Sequence, residues 1–134
     1  MASRVNILSQ LTSIINAGVP QAAKVKNTQT DFASESAYPV IYILAGPEER
    51  IPRDTGNGTR GNLDMIVRVA AKGHSGSEDD VINPLIETIT DLILANSTLN
   101  TTVLDAYVSN IETDQGTLYP FALAELTITT FYTE

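Results

Sequence analysis

The chain has 134 residues and a mass of 14.4 kDa, the size of one domain with a single core. Hydrophobic residues make up 43% of it and charged residues 18%, which excludes a disordered chain and a fibrous repeat. The net charge of −8 has the wrong sign for a protein that neutralises the phosphates of nucleic acid. Its apolar stretches are far shorter than the roughly 20 residues that cross a bilayer, and its first residues do not form a signal peptide. We therefore expect one folded domain without a membrane partner.

The reactive side chains of most small hydrolases are scarce in this sequence. It contains no cysteine and a single histidine, His74, so thiolate nucleophiles, zinc–thiolate sites and histidine-based triads lack their residues. An enzyme built from this chain would depend on carboxylates, with Glu48, Glu49 and Asp54 as the candidates for acid–base chemistry. We expect instead a protein that is not an enzyme and that holds neither a cofactor nor a metal.

The first elements in chain order are a helix and a short strand. Apolar residues recur at helical spacing and predict a helix from Ser3 to Ala17, which Gly18 ends. The polar run Lys24–Thr28 predicts an edge strand, because lysine on an edge discourages unwanted pairing.

Two stronger strand signals follow. The segment Tyr38–Leu44 is rich in β-branched and aromatic residues and predicts a central strand. The alternation of apolar and polar residues over Gly61–Lys72 predicts a long strand with one buried face.

The second half of the chain predicts a helix and a hairpin. The acidic run Glu78–Asp80 favours a helix start, and the helix runs to Ala95. Pro84 falls near the first turn if Asp79 or Asp80 is the N-cap, whereas a cap at Ser77 implies a kink. Two alternating segments, Val103–Ile111 and Leu118–Tyr132, predict the strands of an antiparallel hairpin.

This order of elements predicts a single α+β domain over residues 1–134. The sheet is mainly antiparallel with four or five strands, and two α-helices pack on one face of it. A single helix layer leaves the other face uncovered, and an apolar uncovered face favours association between subunits. The residues that we predict for this subunit interface are Ile41, Ile43, Leu123, Thr127 and Thr129.

The segment 45–61 predicts a long flexible loop between two strands. Connections of this length are usually functional or disordered. Its acidic and basic residues balance, and arginines on a flexible loop suit contact with an acidic neighbouring subunit or partner. The alternative is a hairpin tip with no role. The charged residues that we predict for this interface loop are Glu48, Glu49, Arg50, Arg53, Asp54 and Arg60.

Three other patterns favour structural interpretations. The glycine-rich run 56–61 leads into a strand, whereas phosphate-binding loops lead into a helix. The acidic run Glu78–Asp80 lacks the spaced ligands of a calcium loop and fits helix capping. His74 has no second histidine and fits a surface position.

The order and spacing of these segments resemble the tail terminator family of long-tailed bacteriophages, of the minor tail protein U type. The resemblance covers about Tyr38 to the C-terminus. Its features are Tyr38–Tyr42 followed by Glu48 and Glu49, the strand Leu63–Ala71, the acidic-capped helix with Pro84, the hairpin turn Asp114–Gly116, and the final strand Ala124–Ile128 that leads to Tyr132.

The resemblance implies a structural virion protein without catalytic activity. Such a protein forms a ring of six copies of the chain on the last ring of tail-tube subunits. The ring stops tube polymerisation and presents the surface that joins a head-completion or neck protein, while DNA passes through its lumen without specific binding. The implied location is the head-proximal end of the tail, after assembly in the host cytoplasm. Two alternatives are a related neck or head–tail connector protein and a small oligomeric ligand-binding domain.

Overall fold

The described residues of the chain form five strands, two α-helices and one short 3₁₀-helix. The computed structural model describes residues 4–20, 22, 24–28, 32–35, 37–52, 59–72, 78–113 and 121–133. The elements in chain order are α1 (Arg4–Gly18), β1 (Lys24–Lys26), the 3₁₀-helix (Phe32–Ser34), β2 (Val40–Pro52), β3 (Thr59–Lys72), α2 (Glu78–Ala95), β4 (Asp105–Thr113) and β5 (Phe121–Thr133).

The strands form one sheet in the order β1-β2-β3-β5-β4. β1 runs parallel to β2, and the other three pairs are antiparallel. The predicted α+β class and the mainly antiparallel sheet are confirmed, as is the position of β1 at an edge. β4 forms the opposite edge, because it pairs only with β5 among the described strands.

Both α-helices pack on the same face of this sheet, as predicted. α1 lies against β1 and β2, and α2 lies against β3, β5 and β4. Their buried apolar side chains meet those of the strands in the main core, which supplies the hydrophobic stabilisation of the fold. The helices also touch each other at Gly18, where a Cβ atom would lie 2.6 Å from Cδ1 of Leu92.

The start of α2 decides between the two alternatives for Pro84. The helix begins at Glu78, so Pro84 is its seventh residue and lies beyond the first turn. The alternative with the N-cap at Asp79 or Asp80 is therefore wrong, and Pro84 lies inside the helix. The hydroxyl of Thr88 donates a hydrogen bond to the carbonyl oxygen of Pro84 at 2.9 Å within the same helix.

The predicted loop over residues 45–61 is largely a β-ladder. β2 continues to Pro52, β3 begins at Thr59, and the two strands pair up to these residues. The prediction of an unpaired loop is therefore wrong for residues 45–52 and 59–61. Gly46 and Pro47 suggested a turn, but they lie in a register shift between Ala45 and Glu48, where a β-bulge absorbs them without ending the strand. We call the paired residues 48–52 and 59–63 the arm.

In the part of the chain that the structure describes, no helix has the length and apolar character needed to span a membrane.

Candidate interaction surfaces

The two faces of the sheet differ from the predicted assignment. Ile41 pairs through Val69 with Ala124, and these residues lie in the helix-covered core. Side chains alternate between faces along a strand, so Leu123 must lie on the opposite face from Ala124.

The same argument places Ile43 in the core, where its exposed fraction is 0%. Thr127 and Thr129 alternate with the buried Leu126 and Ile128 and share the face of Leu123. The predicted five-residue interface is therefore wrong in part. Ile41 and Ile43 belong to the core, and only the three β5 residues lie on the uncovered face.

We call this second face, over which neither α-helix packs, the open face. At one end it carries a small second core in which Val40, Tyr42 and Ala70 are buried. Tyr38 and Leu123 pack against that core. Further along, Leu44, Ile66 and Thr127 form a half-buried row across β2, β3 and β5.

Polar side chains on the open face are joined in pairs. Arg68 donates from Nε to a carboxylate oxygen of Glu125 at 3.3 Å. The hydroxyl of Thr129 lies 3.2 Å from Oδ1 of Asp64 and 2.8 Å from the hydroxyl of Ser109. These contacts leave a surface of mixed character rather than a fully apolar patch.

Aromatic rings lie at both ends of the open face. Tyr38 and Phe121 have ring centroids 5.8 Å apart, and Nζ of Lys72 lies 5.8 Å from the Phe121 ring. At the other end, near the arm, Tyr107 and Phe131 stack with centroids 6.1 Å apart. Aromatic residues are enriched in the cores of protein interfaces.

The base of the arm is fixed by one carboxylate. The side chain of Glu48 is only 8% exposed and accepts hydrogen bonds from Arg4 Nη1 at 3.0 Å and from Arg50 Nε at 2.7 Å. The hydroxyl of Tyr132 donates a third hydrogen bond to it. Arg4 also donates from Nη2 to the carbonyl oxygen of Gly46 at 3.2 Å. We call Glu48, Arg4, Arg50 and Tyr132 the arm anchor.

The anchor joins three distant parts of the chain. Arg4 opens α1, Tyr132 lies near the end of β5, and Glu48 and Arg50 belong to β2. The carboxylate of Glu48 already accepts three hydrogen bonds, so it fits anchoring better than acid–base chemistry. In the described ranges, no three His, Cys, Asp or Glu side chains are grouped to hold a metal ion.

Burial and hydrogen bonding shift the pKa of Glu48 in opposite directions. Burial by itself disfavours the charged carboxylate, but the hydrogen bonds from Tyr132, Arg4 and Arg50 outweigh it and hold the pKa of Glu48 below its ordinary value. The pKa of Glu48 is lower in the folded than in the unfolded chain, so the ionised carboxylate stabilises the fold. This contribution is fully present above the unfolded pKa and is lost as the pH falls through the folded pKa.

We therefore predict that Glu48→Gln destabilises the protein most at neutral pH. The difference in free energy of unfolding between wild type and this variant should shrink as the pH falls below about 4.3, the ordinary pKa of a glutamate. Urea unfolding of both proteins between pH 7 and pH 3 measures this difference. A difference that stays constant over that range would contradict the assigned role of the ionised carboxylate.

The other predicted loop residues divide between the two sides of the arm. Glu49 pairs with Asn62 and Ile51 with Arg60, so the side chains of Glu49 and Arg60 lie on the open-face side. Glu48 and Arg50 lie on the helix side, where the arm anchor forms. Two predicted residues, Arg53 and Asp54, lie outside the described residues.

The anchor also contains two residues that the sequence analysis did not select, Arg4 and Tyr132. They are 44 and 84 residues from Glu48 in sequence, and no local pattern indicates such contacts.

A polar cleft of about 480 Å³ lies between α1 and the turn that follows α2. Leu99, Asn100 and Thr101 in this turn have positive φ angles of 46°, 58° and 66°, which are unfavourable for side chains with a Cβ. Leu99 is fully buried, and Asn100 donates to Oε1 of Gln10 at 2.8 Å. Core packing and this hydrogen bond therefore account for the strained turn. Small-molecule sites are usually mostly apolar, whereas this cleft is lined mainly by Asn, Gln and Thr residues.

Comparisons with known proteins identify no family. No family model matches the chain, and its sequence matches no curated protein. Among solved structures, it is similar to a chain of the "Virion of native gene transfer agent (GTA) particle", with 10% identity and a TM-score of 0.49 over 99% of this chain and 96% of that chain. A similarity at this level carries no argument about function.

Proposed function

We propose that this chain is a structural protein of a phage-like virion, which caps the tail tube as a ring and carries no catalytic activity. The ring would stop tube polymerisation and provide the surface that joins the head or neck. The observation that carries the proposal is the open face, a half-buried sheet surface beside an anchored arm. The resemblance in element order to tail terminators gives this surface its proposed role.

The open face supports a role in assembly. Both α-helices cover the opposite face, while Leu44, Ile66 and Leu123 stay half-buried on this one. The ion pair of Arg68 with Glu125 lies between the row that contains Leu123 and the row that contains Ile66, and Thr129 forms hydrogen bonds beyond them. Protein–protein interfaces commonly combine apolar and polar groups in this way.

The arm supports a docking role. In the outer part of the arm, Ile51 is 44% exposed, and Glu49, Arg50 and Arg60 are exposed around it. Mixed charges of this kind give specificity and steer association more than they add affinity. The anchor at Glu48 holds the base of the arm, so that the arm meets a partner with little loss of conformational freedom.

Under this proposal, the partners are further copies of the chain, the tail-tube protein, and a head-completion or neck protein. DNA would pass through the ring lumen, and the overall negative charge would limit its adhesion to the wall. The protein would assemble in the host cytoplasm and remain at the head-proximal end of the tail. We also propose that each ring contains six copies of the chain.

Shortening the arm tests its docking role. In this variant, residues 51–60 are replaced by Asn-Gly, a two-residue hairpin turn, so that Arg50 and Gly61 remain paired and the anchor stays in place. We expect the variant to keep the circular dichroism spectrum and cooperative unfolding of wild type but to lose binding to purified tail tubes in a sedimentation assay.

The outcomes of this assay separate the candidate functions. Equal binding of the shortened variant and wild type would contradict the role of the arm. Binding of wild type to neck or head rings but not to tubes would favour a connector protein. Saturable binding of a small molecule without ring formation would favour the ligand-binding alternative.

A further inference from the structure

Exposed acidic and basic side chains lie on opposite sides of the domain. Residues 78–113, which include α2 and β4, contain seven acidic residues and no Lys, Arg or His. Four of the acids have exposed positions in the structure. These are Glu87, Asp91, Asp105 and Glu112. We call α2 and β4 together the acidic edge.

The opposite edge, formed by α1, β1 and β2, presents basic groups. Arg4 and Arg50 have side chains that are 42% and 53% exposed, although both contact Glu48. Of the acids on this side, the exposed Glu49 points to the open-face side of β2, and the other two described acids are largely withdrawn from solvent. The side chain of Glu48 is 8% exposed, and that of Glu35, which pairs with Lys26 at 2.8 Å, is 6% exposed. We call this side the arginine edge.

The topology places the two edges on opposite sides of each copy. The sheet order puts β1 and β2 at one side and β4 at the other. α1 packs over β1 and β2, and α2 packs over β3, β5 and β4. A domain with one basic and one acidic side is complementary to another copy of itself in the same orientation.

Each edge also presents an exposed apolar side chain beside its charges. On α2, Leu94 is 77% exposed and follows Glu87 and Asp91 at helical spacing, so the three share one stripe. On α1, Val5 is 75% exposed and adjoins Arg4. Val5 also lines a groove of about 380 Å³ between α1 and Asn27.

We propose that a second copy of this chain docks its acidic edge on the arginine edge of the first. The inference rests on the proposed ring and deepens it by assigning the surfaces that neighbouring subunits share. Because the two surfaces differ, the contact is heterologous, and such contacts produce rings when the rotation between neighbours closes. Arg4 and Arg50 suit this role, because the guanidinium group binds carboxylates in a fixed planar geometry.

Charge reversal on the acidic edge gives the first test. Glu87→Lys with Asp91→Lys places positive charge opposite Arg4 and Arg50 of the neighbour. The matched control, Glu87→Asp with Asp91→Glu, keeps the negative charge at the same two positions. We expect the acidic-edge variant to raise the self-association Kd at least about tenfold in sedimentation at low salt. The control should stay within about twofold of wild type.

Both variants are expected to fold. Lysine is favourable in the second half of a helix, because it interacts with the negative end of the helix dipole. Circular dichroism and thermal unfolding check this expectation before association is measured. Added salt should weaken the association of wild type, because exposed charges are screened over about 10 Å at 0.1 M ionic strength.

Cross-linking captures the contact even where association is weak. The sequence has no cysteine, so Val5→Cys and Leu94→Cys each introduce a single thiol. With a short bis-maleimide, a mixture of the two variants should give heterodimers in clear excess over the homodimers of either variant. Statistical proportions would overturn the proposal, as would an equal loss of association in the Glu87→Asp/Asp91→Glu control.

These results are distinguishable from a failure of the ring proposal. Rings that persist in the Glu87→Lys/Asp91→Lys variant would overturn the edge contact and leave the capping function in place. Enriched heterodimers from a protein that does not bind tubes would support the edge contact and contradict the capping function.

Discussion

Replacing Ile43 with alanine is expected to lower the free energy of unfolding by about 2–5 kcal/mol. Leu123→Ala is expected to lower it by about 1 kcal/mol or less. Ile43 is fully buried under the helices, and its truncation leaves a cavity in the main core. Leu123 lies on the open face, where it is only partly buried and water can fill the vacated space. Urea unfolding followed by circular dichroism gives both values.

This pair of variants tests the assignment of the two sheet faces. The sequence pattern predicts one surface for both residues and therefore similar losses of stability for both. The structure places them on opposite faces and predicts a several-fold difference. Equal losses would contradict the register between β2, β3 and β5.

Replacing Gly61 with alanine is expected to lower the free energy of unfolding by about 1–3 kcal/mol. A Cβ at this position would lie 2.5 Å from Cζ and Oη of Tyr132, so the ring would have to move away from Glu48. Without that clash, alanine in a strand would be more favourable than glycine by about 0.5–1 kcal/mol. We therefore expect Gly61→Ala to destabilise the protein, although alanine is intrinsically preferred to glycine in a strand.

A double-mutant cycle isolates the cause of this loss. In a Tyr132→Ala background the aromatic ring is absent, and Gly61→Ala should then be neutral or stabilising. Thermal unfolding of the four proteins in the cycle measures the coupling. If Gly61→Ala destabilises both backgrounds equally, the close approach to Tyr132 is not the reason for glycine at this position.

Periodicity in the sequence was sufficient to predict most of the fold. The apolar spacing of α1 and α2 and the alternation along β3 and β5 are local patterns, and the resulting order of elements leads directly to the α+β class. The boundaries of β2 were not predicted. Gly46 and Pro47 have the composition of a turn, and only pairing with β3 shows that they belong to a bulge within a longer strand.

The faces and the anchor required information that the sequence does not carry locally. A continuously apolar strand such as Tyr38–Leu44 does not show which side faces the helices, and the choice depends on register with β3. The contacts of Glu48 with Arg4 and Tyr132 join residues far apart in the chain. The sequence predicts Glu48 as a charged residue of the interface loop, whereas its role in holding the arm follows only from the fold.

The central claim is that this chain caps tail tubes, and the most direct test is electron microscopy of growing tubes. Purified tube protein is polymerised with and without this chain, and tube lengths and end-on views are compared. We predict a ring at one end of each capped tube and an arrest of growth from that end. Unchanged tube lengths, with no density bound at either end, would contradict the proposed function.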